Sequence, residues 1–422
     1  MNPFAYLSSS FARVPGRAAS LAIVVGLTFV AGCETETAVK PVAPVAAPAT
    51  GPTTPEAQHL MTGEEPGFLR LGNMSPNRAP VRVGILLPFS NGSAATRALA
   101  ASMMKAAELA LFDANNQDIL LIPADEGSNP EASAAAARSV LAQGAEIIVG
   151  PLFAQAAEAA APVARDRGIP VISFSTDTRA AGDGVYLLSF LPEIEVHRVI
   201  SYAATQGHAN FAALVPETLY GERVGDYFRD GVKAAGGQVV DVEKFVPASA
   251  ALPASAHAVA ATKPDAILIA QGGPLLREMA SSLAGAGTNM SSVKLLGTGL
   301  WDDPSTSRDP MLAGGLFAAP SPEIDHDFVT KYHSVFGGNP PQLASLAYDA
   351  VSLVALLASG TPYKRFTAQA LTDPNGFVGV DGIFRFKPDG TSERGLAVLT
   401  IEPGGGFRVV SPAPKTFQGL GS

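Results

Sequence analysis

The side chains best suited to chemistry in this 422-residue chain sit in short loops that follow apolar runs. Ser90 lies in Pro88-Phe89-Ser90-Asn91-Gly92-Ser93, and Leu152 and Phe153 follow Gly150-Pro151. Ser173, Ser175 and Thr176 share the loop Ser173-Phe174-Ser175-Thr176-Asp177. Further on, Tyr220 stands in Glu217-Thr218-Leu219-Tyr220-Gly221, Gln271 precedes Gly272-Gly273-Pro274, and Trp301 stands in Gly299-Leu300-Trp301-Asp302. Hydroxyls, an amide, backbone N–H groups and an aromatic face are what a small polar or zwitterionic ligand needs. Helix N-termini after these loops would favour its carboxylate. Ser175 and Thr176 would serve equally as helix caps, and Tyr220 and Trp301 as packing residues. No catalytic set stands beside them. The chain has no Gly-x-Ser-x-Gly elbow, Walker A loop or His-Glu-x-x-His. Asp325-His326-Asp327 opens a predicted helix, where acidic residues favour the dipole more readily than they bind a metal. The expectation is a binding protein without cofactor or metal, not an enzyme.

These loops matter only if the surrounding elements bring them to one edge. From Val81 onward, short apolar runs alternate with longer stretches of helical spacing. Strands are predicted at Val81–Leu87, Ile119–Ala124, Ile147–Val149, Pro170–Phe174 and Val185–Phe190. A second set runs Asn210–Val215, Gln238–Phe245, Ala266–Ala270, Lys294–Thr298 and Gly315–Ala318. Between them, Val224, Tyr227, Phe228 and Val232 form one helical stripe in Gly221–Ala235, and Leu343, Leu346, Ala350, Val351, Val354 and Leu357 form another in Pro341–Leu357. Strand–helix alternation of this kind builds parallel sheets covered on both faces. The expected fold class is α/β, with two Rossmann-like doubly wound lobes. In such sheets ligands sit beyond the carboxyl ends of the strands, where the loops above fall. Gly382–Lys387, Gly395–Ile401 and Phe407–Val410 read instead as antiparallel strands.

Composition narrows the function classes. Apolar residues make up 47% of the chain, enough for a sizeable core. Lys and Arg number 29 against 38 Asp and Glu, a net charge of −9, which argues against a nucleic-acid footprint. A single cysteine excludes an intrachain disulfide framework.

That cysteine ends a leader-like N-terminus. Arg13 and Arg17 precede the mostly apolar run Ala18–Val30, too short to span a bilayer but right for a signal segment. Val30-Ala31-Gly32-Cys33 resembles the bacterial lipobox, which predicts cleavage after residue 32 and lipidation of Cys33. Acyl chains would anchor the protein stably to a membrane. Glu34 follows, not the Asp that commonly marks inner-membrane retention, so the periplasmic face of the outer membrane is favoured over the inner membrane. Residues 33–79 are rich in Pro and Ala and read as a semi-rigid tether.

An ordered set of segments resembles the type I periplasmic binding proteins, most closely the leucine-binding branch. They are VRVGILLPFSNGS, GAEIIVGPLFA, GIPVISFSTD, LVPETLYGERVGDYFRDGVKAAGGQVV, PDAILIAQGGP, SLAYDAVSLVALL and GIFRFKPDGTSERGLAVLTI, spanning roughly residues 80–410. The resemblance implies two lobes joined by a three-strand hinge that closes on a small amino-acid-like ligand. It places the first lobe at 80–192 plus about 322–378, the second at about 193–321 plus about 379–411, and a tail at 412–422. It implies ligand contacts from Ser90, Leu152, Phe153, Ser173, Ser175, Thr176, Tyr220, Gln271 and Trp301. Leu152 and Phe153 stand where amino-acid binders usually offer a hydroxyl, and Gln271 is not a carboxylate. The same fold also resembles outer-membrane lipoproteins that activate penicillin-binding proteins. The implied partner is therefore an ABC permease or, alternatively, a penicillin-binding protein.

Overall fold

The computed structural model describes residues 69–71, 79–116, 118–323, 326–362 and 364–417, all within the compact unit Thr54–Ser422. Cys33, the predicted leader and most of the predicted tether lie outside the described residues.

The first sheet has the order β1-β3-β2-β4-β5-β6, from β1 (Leu69–Arg70), β2 (Val81–Leu87), β3 (Ile119–Asp125), β4 (Ile147–Val149), β5 (Val171–Ser173) and β6 (Val185–Leu187). All pairs are parallel except β1 on β3. The crossovers are α1 (Ala94–Ala114), α2 (Pro130–Ala142) and α3 (Ala154–Arg165). The Ser93 hydroxyl accepts from Thr96 N and starts α1, and the Asn129 side chain accepts from Ala132 N ahead of Pro130 and starts α2. Along β2 the period of two is visible in the packing. Val83, Ile85 and Leu87 face one core with α1, while Leu86 faces another with α2 and α3.

After β6 the chain enters the second lobe. Its elements are α4 (Pro192–Thr205), β7 (Asn210–Pro216), α5 (Leu219–Ala234), β8 (Gln238–Phe245), α6 (Leu252–Ala261), β9 (Ala266–Ile269), α7 (Gly273–Gly285), β10 (Lys294–Gly297) and β11 (Leu316–Ala319). Val224, Phe228 and Val232 of α5 pack in one core with Phe211 and Val215 of β7. The chain then returns to the first lobe as α8 (His326–Phe336) and α9 (Ala344–Leu357), whose Leu346, Val351 and Val354 share the core of α1.

The short α10 (Ala368–Leu371) leads to an antiparallel sheet of β12 (Phe377–Gly379), β13 (Gly382–Phe386) and β14 (Ser392–Arg394). The resemblance puts residues from about 379 in the second lobe. The structure differs: Phe384 and Phe386, two apart on one face of β13, pack in the first-lobe core, with Tyr186 5.4 Å from Phe386. The second sheet resumes only with β15 (Ala397–Ile401), antiparallel to β11, and β16 (Phe407–Ser411), completing the order β16-β15-β11-β10-β9-β7-β8. The chain thus crosses between lobes after β6, after β11 and after β14.

Candidate functional site

The loops at the carboxyl ends of both parallel sheets form the candidate site. On the first lobe, Ser90 is exposed, but its backbone N–H donates to Asp125 Oδ2 at 3.0 Å and its hydroxyl bonds the same carboxylate. It ties the loop after β2 to the end of β3. The loop after β4 turns at Gly150, with φ +89°, where any Cβ would run into the Leu86 carbonyl. Leu152 goes inward to the first-lobe core, while Phe153 is 48% exposed as the residue before α3. Phe153 offers α3 no side-chain cap, and Glu126, just after β3, braces the loop ahead of that helix. Its Oε2 accepts from Leu152 N at 2.7 Å. Burial pushes the Glu126 carboxyl up to about 7, against the pull of the backbone donors Leu152 and Phe153. A cavity of about 440 Å³ opens there, with Asn91, Gly92, Asn129, Phe153 and Gln155 among its walls.

The loop after β5 uses its hydroxyls on itself. Ser173 is fully buried, donates to the Pro151 carbonyl at 3.0 Å and accepts from Ser175 N at 3.2 Å. The buried Ser175 hydroxyl accepts from Asp177 N at 3.0 Å. Only Thr176 of the expected hydroxyl trio is exposed. The cap of the following turn is Asp177, which accepts from Arg179 N.

On the second lobe, Thr218 caps α5, and the half-buried Tyr220 shares a 2.9 Å hydrogen bond with Thr298 at the end of β10. Burial pushes the Tyr220 phenol well above its ordinary range. Gln271 turns its amide onto the neighbouring Gly272 carbonyl at 3.0 Å. Trp301 corrects the sequence expectation of a ligand contact. It is 0% exposed and sits in the second-lobe core with Leu312 and Phe317. Its indole N–H donates to the Gln271 carbonyl at 3.1 Å. Gly297 beneath it is obligatory, because the indole occupies the space a Cβ would need. Trp301 therefore shapes the Gln271 loop from behind. Glu195 of α4, also buried, accepts from Gly299 N at 2.8 Å, and burial pushes it up to about 7.

At two places among the described residues, polar side chains bridge the lobes. Arg223 of α5 reaches Asp177 Oδ1 at 2.7 Å and donates to the Thr178 hydroxyl at 3.0 Å. Gln342, before α9, donates to Asp302 at 3.2 Å. Arg179 also binds Asp177 at 2.6 Å, and its hydrogen bonds help hold that carboxyl down at about 2. By sequence Asp177 reads only as a loop residue and Arg223 only as a helical cation. The available signal was an acid and a base at the carboxyl ends of strands in different lobes, invisible until the topology is known.

The sequence profile of a family described as periplasmic binding protein matches residues 80–406. The chain belongs to that family. Among solved structures, its fold is similar to a putative branched-chain amino acid ABC transporter protein from Rhodospirillum rubrum, with a TM-score of 0.70 and 21% identity over 78% of this chain and 100% of that one. It is similar to an ABC transporter substrate-binding protein from Desulfitobacterium hafniense in complex with leucine, with a TM-score of 0.60 and 22% identity over 78% and 100%. A solute-binding protein from Rhodopseudomonas palustris BisB5 in complex with 3,4-dihydroxybenzoic acid gives a TM-score of 0.58 and 20% identity over 80% and 98%. No curated protein matches significantly. The periplasmic binding fold accounts for two doubly wound lobes with facing loops.

Proposed function

We propose that this chain captures a small solute between its lobes in the periplasm and presents it to an ABC-type permease. The observation that carries the reading is the pair of parallel sheets whose carboxyl-end loops are bridged by Arg223 and Asp177. The solute class is a small carboxylate with an apolar body. Phe153 ahead of α3, Leu219 at the start of α5 and Leu300 after β10 are large apolar side chains left exposed beyond the carboxyl ends of the strands. Thr176, Tyr220 and Gln271 supply the polar rim. Leucine and a hydroxybenzoate in the two complexes above have this chemistry in common. The test is the melting temperature of the purified protein against branched-chain amino acids and benzoates. A true ligand at 100 times its Kd adds about 2.7 kcal/mol and a saturable rise in Tm.

A second reading, an outer-membrane lipoprotein that activates penicillin-binding proteins, draws on the inward use of Ser173 and Ser175 and the mutual pairing of Asp177 and Arg223. Those groups need no ligand. Well-folded protein that gives a flat screen favours it over uptake. Both readings place a lipid on Cys33. Cys33→Ser is expected to move the protein from the membrane pellet to the soluble fraction; retention in the pellet refutes the anchor.

A further inference from the structure

The contact between α5 and the loop after β5 is built from both sides. On the first lobe, the Ser173 hydroxyl fixes Ser175 N and the Ser175 hydroxyl fixes Asp177 N, so the carboxylate is held before any partner arrives. Arg179 lies along its outer edge, with Nε 3.2 Å from each carboxylate oxygen. On the second lobe, Arg223 and Tyr227 are four apart and share a face of α5. Both reach the same target: Arg223 donates to the Thr178 hydroxyl at 3.0 Å, and the Tyr227 hydroxyl lies 3.5 Å from it. The Asp177 and Arg223 side chains are only 15% and 21% exposed, so solvent screens the pair less than it screens a surface ion pair. The other bridge, Gln342 to Asp302, joins exposed groups through one neutral donor.

We propose that Asp177 and Arg223 form a latch that holds the lobes closed without ligand. Solute must then enter by breaking the latch or through a cleft it already narrows. The latch sets the ratio of closed to open molecules, and ligand adds to that bias. This inference is independent of which solute, or which partner, the cleft serves.

The test measures the distance between spin labels at exposed Arg138 on α2 and Lys233 on α5, each changed to cysteine in the Cys33→Ser chain, with no ligand added. The parent is expected to give one short, narrow distribution. Arg223→Ala and the near-isosteric Arg223→Met are each expected to move most of the population to a longer distance, a shift of about tenfold in the closed-to-open ratio. Asp177→Asn is expected to do the same, and the double variant to open no further than either single. Should Asp177→Asn disturb its own loop, the two Arg223 variants decide alone, because Arg223 sits on a helix capped separately by Thr218. Distributions unchanged in both Arg223 variants, with unaltered circular dichroism, overturn the latch. A flat ligand screen beside an open Arg223 variant would reject the solute reading and keep the latch.

Discussion

In the first lobe, Arg365 lies 3.3 Å from Glu146 and Arg394 stands between Asp349 and Asp381, all of them buried. The second lobe fills its core with Trp301, Phe211, Phe228, Phe245 and Phe317. Its buried acids, Glu195 on α4 and Asp309 in the loop before β11, bind Gly299 N and Arg277. The difference follows the path of the chain. Most of the second lobe is one continuous run from α4 to β11, so local order already brings its apolar faces together. The first lobe must accept segments that return after that whole excursion. The buried pair of Glu146, before β4, with Arg365, before α10, joins parts far apart in sequence, whereas Arg394 on β14 meets Asp349 on α9 and the nearby Asp381 within the returning segment itself. Such pairs rarely exceed apolar packing in net stability, yet losing one partner strands a charge. In this lobe the Glu146–Arg365 pair ties a returning segment to an early one, and Arg394 ties two parts of the return to each other.

Arg394→Met breaks that comparison most severely. The guanidinium lies 4.8 Å from the Phe190 ring and 5.4 Å from the Phe384 ring, so Met can fill much of the space. What it cannot replace is the positive charge between Asp349 and Asp381. The expected loss is about 3–5 kcal/mol in urea unfolding. A volume-conserving change in the second core, Met279→Leu, is expected to cost less than about 1.5 kcal/mol. Equal, small losses at both sites would mean that the first lobe docks its late segments by apolar contact alone.

The same contrast explains what was legible beforehand. Val81–Leu87, Ile147–Val149 and Gln238–Phe245 are strands over the very residues whose apolar runs predict them. Period and β-branching suffice both for the buried strands β2 and β4 and for the half-exposed edge strand β8. The predicted strands at Pro170–Phe174 and Val185–Phe190 shorten to Val171–Ser173 and Val185–Leu187. There the apolar run continues into a loop that is itself buried, as Phe174, Leu188 and Leu191 are. The β13 strand reads as antiparallel from its sequence, but its lobe depends on which core receives Phe384 and Phe386. That is a long-range fact. At the candidate site, residue type marks the right loops and not the right atoms. Ser175 and Trp301 carry suitable chemistry, and both turn it inward. Arg223, an ordinary helical cation by sequence, reaches across to the other lobe.

One device is common to both lobes and offers the finer test. Each has a buried glutamate that accepts a backbone N–H from a cleft loop, Glu126 from Leu152 and Glu195 from Gly299. Burial raises both from 4.5 to about 7. A raised acid binds its proton more tightly folded than unfolded, so its stabilising contribution is complete below about pH 4.5. It is lost as pH rises toward 7 and levels off above that. Each shift corresponds to at most about 3 kcal/mol. Glu126→Gln and Glu195→Gln keep the accepting oxygen and remove the titration. Relative to the parent, each variant is therefore expected to gain stability steadily between pH 4.5 and 7, then hold a constant difference to pH 8.5, in urea unfolding at fixed ionic strength. Any fixed penalty from the new amide N–H groups offsets the whole curve without changing its slope. Two similar slopes would mean that both lobes brace their cleft loops with a neutral acid. A slope at Glu195 alone would point to Glu126 staying ionised over its two backbone donors in the loop ahead of α3. Curves parallel to the parent at both sites would show that neither glutamate is held protonated.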